Sequence, residues 1–370
     1  MKKVGIMSMQ RIYNYGSFLQ AYGLRKIFQS LNTDVKFIDY HPGKPLVDNS
    51  DKNGILRKLS KALETLVISA PFKTKLDYIN YKRTYAAKYY PLLGIKEERY
   101  YETNDLNLLV IGSDEVFNCV QDNPNVGFSL DLFGANCKSK KLISYAASFG
   151  NTTLEKLIKY KKDKKIIDCL NKFDALSVRD RNSYSLVKQL IGKEPIENLD
   201  PVLTYEFIKK EDLPEVELPY KYLILYGYNG RFSKKECKKI KKFAKARGLK
   251  IVCIGGIQHY CDIFLNCAPL EVLSYFKNAE YVITDTFHGT IMSIITHRKF
   301  ISFIRKNGYG NSQKLEDLLQ RLNLKERILN NLDDIENNLN NYINYSKTDK
   351  IIENERRKAF SYLKSEIEKA

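Results

Sequence analysis

No stretch of this chain approaches the ~20 consecutive apolar residues that a membrane-spanning helix needs. The opening Met1-Lys2-Lys3-Val4-Gly5-Ile6-Met7-Ser8 carries two lysines, but its apolar part is too short for the core of a signal peptide and reads as a first β-strand. The glycine fingerprint G-x-G-x-x-G is missing, which argues against a flavin or nicotinamide oxidoreductase. Zinc-finger and RNP motifs are missing too, and with them the usual signatures of nucleic-acid binding. Cysteines stand at 119, 137, 169, 237, 253, 261 and 267, an odd number with no C-x-x-C spacing. That pattern suggests free thiols in a reducing, cytoplasmic setting, with no metal site and no cofactor. No repeat of solenoid period occurs.

What is present is a globular composition: 44% hydrophobic and 28% charged residues over 370 positions. That length exceeds what one hydrophobic core usually serves, so two domains are expected. The formal net charge is +18. An excess of this size fits nucleic acid, an anionic membrane face or anionic small substrates. Lysine pairs such as Lys234-Lys235, Lys238-Lys239 and Lys241-Lys242 recur at helical spacing and suit a solvated helix face. The tyrosine-rich basic run Tyr78-Ile79-Asn80-Tyr81-Lys82-Arg83-Thr84-Tyr85, followed by Tyr89-Tyr90, fits either a helix packing its rings inward or one resting on a membrane interface.

The periodicity predicts an α/β protein. Val4–Ser8 and Val35–Tyr40 read as strands around a helix at 17–31, a βαβ unit that implies a parallel sheet. Strands follow at 108–111, 142–146 and 175–178, and Asp200-Pro201 imposes an extended turn. Residues 205–219, with Pro214 and Pro219, suit a linker. A second α/β set then runs through strands at 223–226, 250–254, 281–284 and 300–304, with helices at 234–247, 269–276 and 290–296. The expected organisation is an N-terminal Rossmann-like domain over 1–204, the linker, a C-terminal Rossmann-like domain over 220–330, and a helical tail over 331–370. Sheets of this kind bind ligands beyond the carboxyl ends of their strands, so two facing halves predict a site in the cleft between them.

Chemistry-bearing residues cluster at those strand ends. Thr284-Asp285-Thr286-Phe287-His288-Gly289-Thr290 joins a buried strand to an apolar helix. The first N–H groups of such a helix lack internal partners and favour an anion. Thr286 and Thr290 would add hydroxyls, Gly289 would let the backbone approach a ligand, and His288 titrates near neutral pH. Asn14-Tyr15-Gly16-Ser17 opens the first helix and suits an anion or a sugar acceptor; a plain Ser17 N-cap is the alternative. Asp114, after Ile111-Gly112-Ser113, is either a general base or a helix cap. Ser148 lies in the small-residue loop Ala147-Ser148-Phe149-Gly150. Arg179, at another strand end, could fork onto a carboxylate or phosphate or pair with an aspartate. Gly255-Gly256 and Arg305 follow two strands of the second half.

Together, N-Y-G-S-F-L-Q-A-Y at 14–22, V-I-G-S-D-E-V-F-N at 110–118, S-Y-A-A-S-F-G at 144–150, S-V-R-D-R-N-S at 177–183, D-P-V-L-T at 200–204 and T-D-T-F-H-G-T at 284–290 resemble the polysaccharide pyruvyl transferase family, in family order. The resemblance implies two Rossmann-like domains facing a cleft, similar to B-type glycosyltransferases. It implies transfer of pyruvate from phosphoenolpyruvate to two hydroxyls of a sugar in a surface polysaccharide or its lipid-linked precursor. The products would be a cyclic ketal and phosphate, and an anionic membrane face would be a further partner. Thr286 stands where relatives often have arginine, so Arg179 or Arg305 would hold the donor carboxylate. His288 is then the expected acid and Asp114 the expected base, with Arg179, Thr286, Gly289, Thr290 and Arg305 on the donor and Asn14, Tyr15, Gly16, Ser17 and Ser148 on the acceptor. A nucleotide-sugar-dependent glycosyltransferase and a non-catalytic phosphoglycan-binding protein are the competing readings.

Overall fold

A computed structural model of the protein describes residues 1–47, 64–305 and 312–370. The described residues form two parallel sheets of six strands each. The first contains β1 (Lys2–Met7), β2 (Thr33–Phe37), β3 (Leu108–Asp114), β4 (Lys141–Ala147), β5 (Ser177–Val178) and β6 (Ile196–Glu197), ordered β2-β1-β3-β4-β5-β6. The second contains β7 (Tyr222–Tyr226), β8 (Lys250–Ile254), β9 (Ile263–Phe264), β10 (Tyr281–Thr284), β11 (Phe300–Phe303) and β12 (Ile328–Leu329), ordered β12-β11-β10-β7-β8-β9. Central strands such as Lys141–Ala147 and Tyr222–Tyr226 are buried along their whole length. Helices cover both faces of such sheets, so these strands are predominantly apolar and lack a buried–exposed alternation.

Strand order reverses between β1 and β3 in the first sheet and between β7 and β10 in the second. These are the topological switch points, where connections leave in opposite directions and open a crevice at the strand ends. The segments after β1, β3, β7 and β10 therefore meet at one place.

Helix α1 (Tyr15–Ser30) is capped by the Asn14 side chain, which accepts from the Ser17 amide at 2.7 Å. Helix α2 (Phe72–Tyr89) turns Thr74, Tyr81, Tyr85 and Tyr89 inward. Tyr81 and Tyr78 pack on Phe264 of β9, and the Tyr89 and Tyr15 hydroxyls both donate to the Cys267 carbonyl. The tyrosines thus form an aromatic seam between the two halves, and of the two sequence readings the inward one describes them. Phe207, in the stretch read as a linker, is also buried, stacking on Tyr22 of α1. Helix α3 (Tyr345–Glu368) returns to the first sheet. Its Tyr362 hydroxyl donates to the Ser144 carbonyl, Glu366 pairs with the buried Lys141, and Arg356 donates to the Thr204 carbonyl.

All seven cysteines are free thiols. Among the described residues no helix is long and apolar enough to cross a membrane, and no three His, Cys, Asp or Glu side chains are grouped to hold a metal ion.

Candidate active site

A cavity of about 380 Å³ opens where the two switch points face each other. Asn14 and Ser17 reach it from the β1 exit, Asp114 and Glu115 from β3, Arg179 from β5, Gly227, Tyr228 and Arg231 from β7, and Thr286, Phe287 and His288 from β10. Lys82 of α2 and Lys314 of the helix Ser312–Arg321 complete its cationic wall.

Its inner wall is a charge network centred on Asp200. This carboxylate caps the short helix Pro201–Thr204, accepting from the Val202 amide at 3.0 Å. Its other oxygen accepts from Arg179 Nη1 at 2.6 Å and faces His288 Nε2 at 3.4 Å, an ion-pair distance without hydrogen-bond alignment. Burial alone would raise the Asp200 carboxyl. The charges of His288 and Arg179, with the Val202 amide, outweigh it and hold Asp200 well below the usual carboxylate range. Arg179 also reaches Asp114 Oδ1 at 3.4 Å and lies 4.2 Å over the Phe287 ring. Burial lowers its affinity for the proton, but Asp200, Asp114 and Asp180 more than offset that.

Asp114 accepts from the Ser17 hydroxyl at 3.0 Å. Its backbone has φ of 74°, the left-handed region that an aspartate tolerates better than most side chains. Such conformations concentrate at functional positions. Next to it, burial would push Glu115 up, but the charge and hydrogen bond of Lys314, with a bond from Asn118, bring its carboxyl down to about 2.

The two halves press together at Gly16. A Cβ there would lie 2.4 Å from Cγ and Nδ1 of His288. Only a residue without a side chain lets the first turn of α1 press against the imidazole. The helix Phe287–Ile295 begins three residues earlier than its periodicity suggested, because Thr286 caps it by accepting from the Gly289 amide at 3.0 Å. His288 therefore lies in the first turn, at the cavity wall.

The structure thus gathers Asn14, Ser17, Asp114, Arg179, Thr286 and His288 around one cavity, with Gly16 against the histidine. Other expected residues point elsewhere. Tyr15 is buried in the aromatic seam. Ser148 is buried and donates to Asp180 at 2.5 Å, so no acceptor reaches it. Thr290 is buried, bonded to the Thr286 carbonyl and at 2.6 Å to Ser302. The missing Cβ of Gly289 faces Thr284, Thr286 and Tyr226, which makes that glycine a packing requirement and not a ligand approach. Arg305 lies behind the cavity, bonded to Asp285 at 2.9 Å and to Glu236, and stacked on Phe232 and Phe303. Arg179 lines the cavity, but its fork is committed to Asp200 and Asp114.

Asp200, read from sequence as mainly structural, turns out to be the histidine's partner. Arg231 had not been singled out. It bonds Asp285 at 2.6 Å through Nε and lines the cavity. The signal for it was available, since Gly227-Tyr228-Asn229-Gly230-Arg231 is also a strand exit. Lys314 is remote in sequence from every motif and only folding brings it in.

The fold compares with that of sugar-nucleotide enzymes. A UDP-GlcNAc 2-epimerase from Neisseria meningitidis, solved with UDP-GlcNAc, superposes with a TM-score of 0.52 at 8% identity, over 100% of both chains. A putative UDP-N-acetylglucosamine 2-epimerase from Listeria monocytogenes gives 0.51 at 10% identity, over 100% of this chain and 98% of that one. The architecture is accordingly the two-domain, Rossmann-like arrangement of B-type glycosyltransferases and these epimerases. No curated protein is matched by the sequence. The family model for polysaccharide pyruvyl transferases matches residues 14–307, and the chain belongs to that family of transferases.

Proposed function

We propose that the protein moves pyruvate from phosphoenolpyruvate to two hydroxyls of a sugar in a surface polysaccharide or its precursor, forming a cyclic ketal and releasing phosphate. The contact of His288 with ionised Asp200 across the two halves, at the wall of a cation-lined cavity, is the observation that carries this reading.

The donor brings a carboxylate and a phosphate. The helix N-terminus at Phe287 favours an anion, and Arg231 and Lys314 line the same cavity while paired with Asp285 and Glu115. Arg231 takes the place of the arginine expected of Arg179 or Arg305, and it offsets the uncharged Thr286. Ketal formation begins with a proton delivered to the methylene carbon, which leaves an oxocarbenium-like centre at the phosphate-bearing carbon. One sugar hydroxyl adds there and loses its proton. The second hydroxyl then displaces phosphate, its C–O bond forming as the C–O bond to phosphate breaks. His288 serves as the acid, oriented by Asp200 as a histidine is by its carboxylate in other acid–base pairs. Asp114, beside Ser17, accepts the hydroxyl proton.

The test is incubation with phosphoenolpyruvate and a panel of glycan acceptors. Phosphate release must accompany a mass gain on the glycan equal to a carboxyethylidene group less the two hydroxyl hydrogens it replaces. Calorimetry against phosphoenolpyruvate, UDP-sugars and GDP-sugars runs in parallel. Tight binding of a nucleotide sugar with none of phosphoenolpyruvate would overturn the reading in favour of a glycosyltransferase.

A further inference from the structure

Helix α2 carries two apolar stripes where a buried helix needs one. Thr74, Tyr78, Tyr81, Tyr85 and Tyr89 face the seam. Phe72, Leu76 and Ile79, at i, i+4 and i+7, face solvent, and Leu66 and Val67 lie exposed just before the helix. Leu66, Val67 and Phe72 are 62%, 74% and 73% exposed, and Lys75 of α2 donates to the Leu66 carbonyl at 2.7 Å, which holds the two segments together. Around this patch the chain is basic. Between 64 and 89 it has five Lys or Arg (Lys73, Lys75, Lys82, Arg83, Lys88) against Glu64 and Asp77. Lys75 and Lys234 are near enough together to disfavour protonation of His259, after burial.

We propose that this outer face of α2, with the helical residues Leu66 and Val67 just before it, docks the protein on an anionic lipid bilayer. An apolar stripe bordered by cations is the pattern of a helix lying in a membrane interface. Self-association fits less well, since pairing this face with its copy in a chain of net charge +18 opposes like charges. The placement also has a use. Lys82 of the same helix donates to the Tyr13 carbonyl, and Lys82 and Tyr13 both line the cavity. Docking through α2 therefore sets the cavity one helix width from the lipid surface. Of the two readings of the tyrosine run, the inward one describes the rings, so Phe72, Leu76 and Ile79 and not the tyrosines form the proposed docking face. Docking does not depend on which group the cavity transfers.

Co-sedimentation of the full chain with sucrose-loaded vesicles tests this. Vesicles of phosphatidylcholine and phosphatidylglycerol in equal parts are compared with phosphatidylcholine alone. The expected result is binding to the mixed vesicles only. Leu76→Asp with Ile79→Asp should weaken it about tenfold or more. Ile158→Asp with Tyr342→Asp, the same charge change at two exposed sites outside the patch, should leave it nearly intact. Circular dichroism and phosphate release with a soluble acceptor confirm that each variant is folded. Failure of the wild type to pellet overturns the proposal, as does equal weakening by both pairs, which would make net charge the cause. A dimer in sedimentation velocity that Leu76→Asp with Ile79→Asp dissociates also overturns it, by assigning the face to a second copy. Vesicle binding without phosphate release on any acceptor would instead count against the proposed reaction and leave docking standing.

Discussion

Asp200 and His288 show how much of the proposed chemistry rests on single side chains. The Asp200 carboxylate is buried and shared between Arg179 and the imidazole, so Asp200→Asn leaves Arg179 buried without its main counter-charge. Losing one partner of such a pair costs on the order of 3–5 kcal/mol, and thermal or urea unfolding should register that loss along with lost turnover. His288→Ala should lower turnover by ~10²–10⁴ with a much smaller effect on unfolding; full turnover in this variant would remove the histidine from catalysis. The seam tyrosines offer a test of opposite sign. The Tyr81 hydroxyl is buried with no hydrogen-bond partner among the described residues, whereas that of Tyr85 donates to the Asn14 carbonyl at 2.8 Å. Tyr81→Phe should stabilise the protein by about 1 kcal/mol and Tyr85→Phe destabilise it by a similar amount, both measurable as shifts in urea midpoint.

Among the elements, the first turn of α1 and the first turn of the helix Phe287–Ile295 matter most, because each forms half of the site and they meet at Gly16. Gly16→Ala would drive a methyl group into the root of the His288 side chain, where no rotamer change relieves the overlap, so the two turns must separate. A displacement near 1 Å costs about a hundredfold in rate. The expected outcome is a large fall in kcat with secondary structure intact, and near-normal turnover would mean that the two turns part during catalysis. These elements also show what could be read in advance. The strand exits carrying Asn14, Asp114, Arg179 and His288 were legible, because a buried strand ending in small and polar residues is a local pattern. The direction in which Ser148 and Thr290 turn was not, since hydrogen bonds to Asp180 and Ser302 decide it. Arg305 and Arg231 both follow strands, and packing alone puts one behind Asp285 and the other at the cavity.

On the scale of the whole molecule, the halves are held by the aromatic seam, by α3 returning to the first sheet and by the Glu115–Lys314 ion pair across the cleft. Glu115 has its folded carboxyl held at about 2, below its ordinary value of 4.5. Its contribution is therefore fully present above pH 4.5 and is lost as pH falls through about 2. Glu115→Gln should flatten the acid side of the stability profile over that window, by on the order of 1 kcal/mol, while changing little at neutral pH beyond the loss of the pair itself. An unchanged acid limb would show that Glu115 is not held by Lys314 in solution.

Sequence by itself determined the fold class and most of the site's location, because apolar periodicity specifies parallel strands and their exits collect polar residues. The ordered motifs from 14 to 290 also pointed to the family that the match over 14–307 establishes. Tertiary structure alone decided which of those residues share a cavity, that Asp200 lies beside His288, that Arg231 and Lys314 line the cavity, and that α2 turns its tyrosines in and its Phe72–Leu76–Ile79 stripe out. Those outcomes depend on contacts between segments far apart in sequence, as Gly16 is from His288, and no local pattern encodes them.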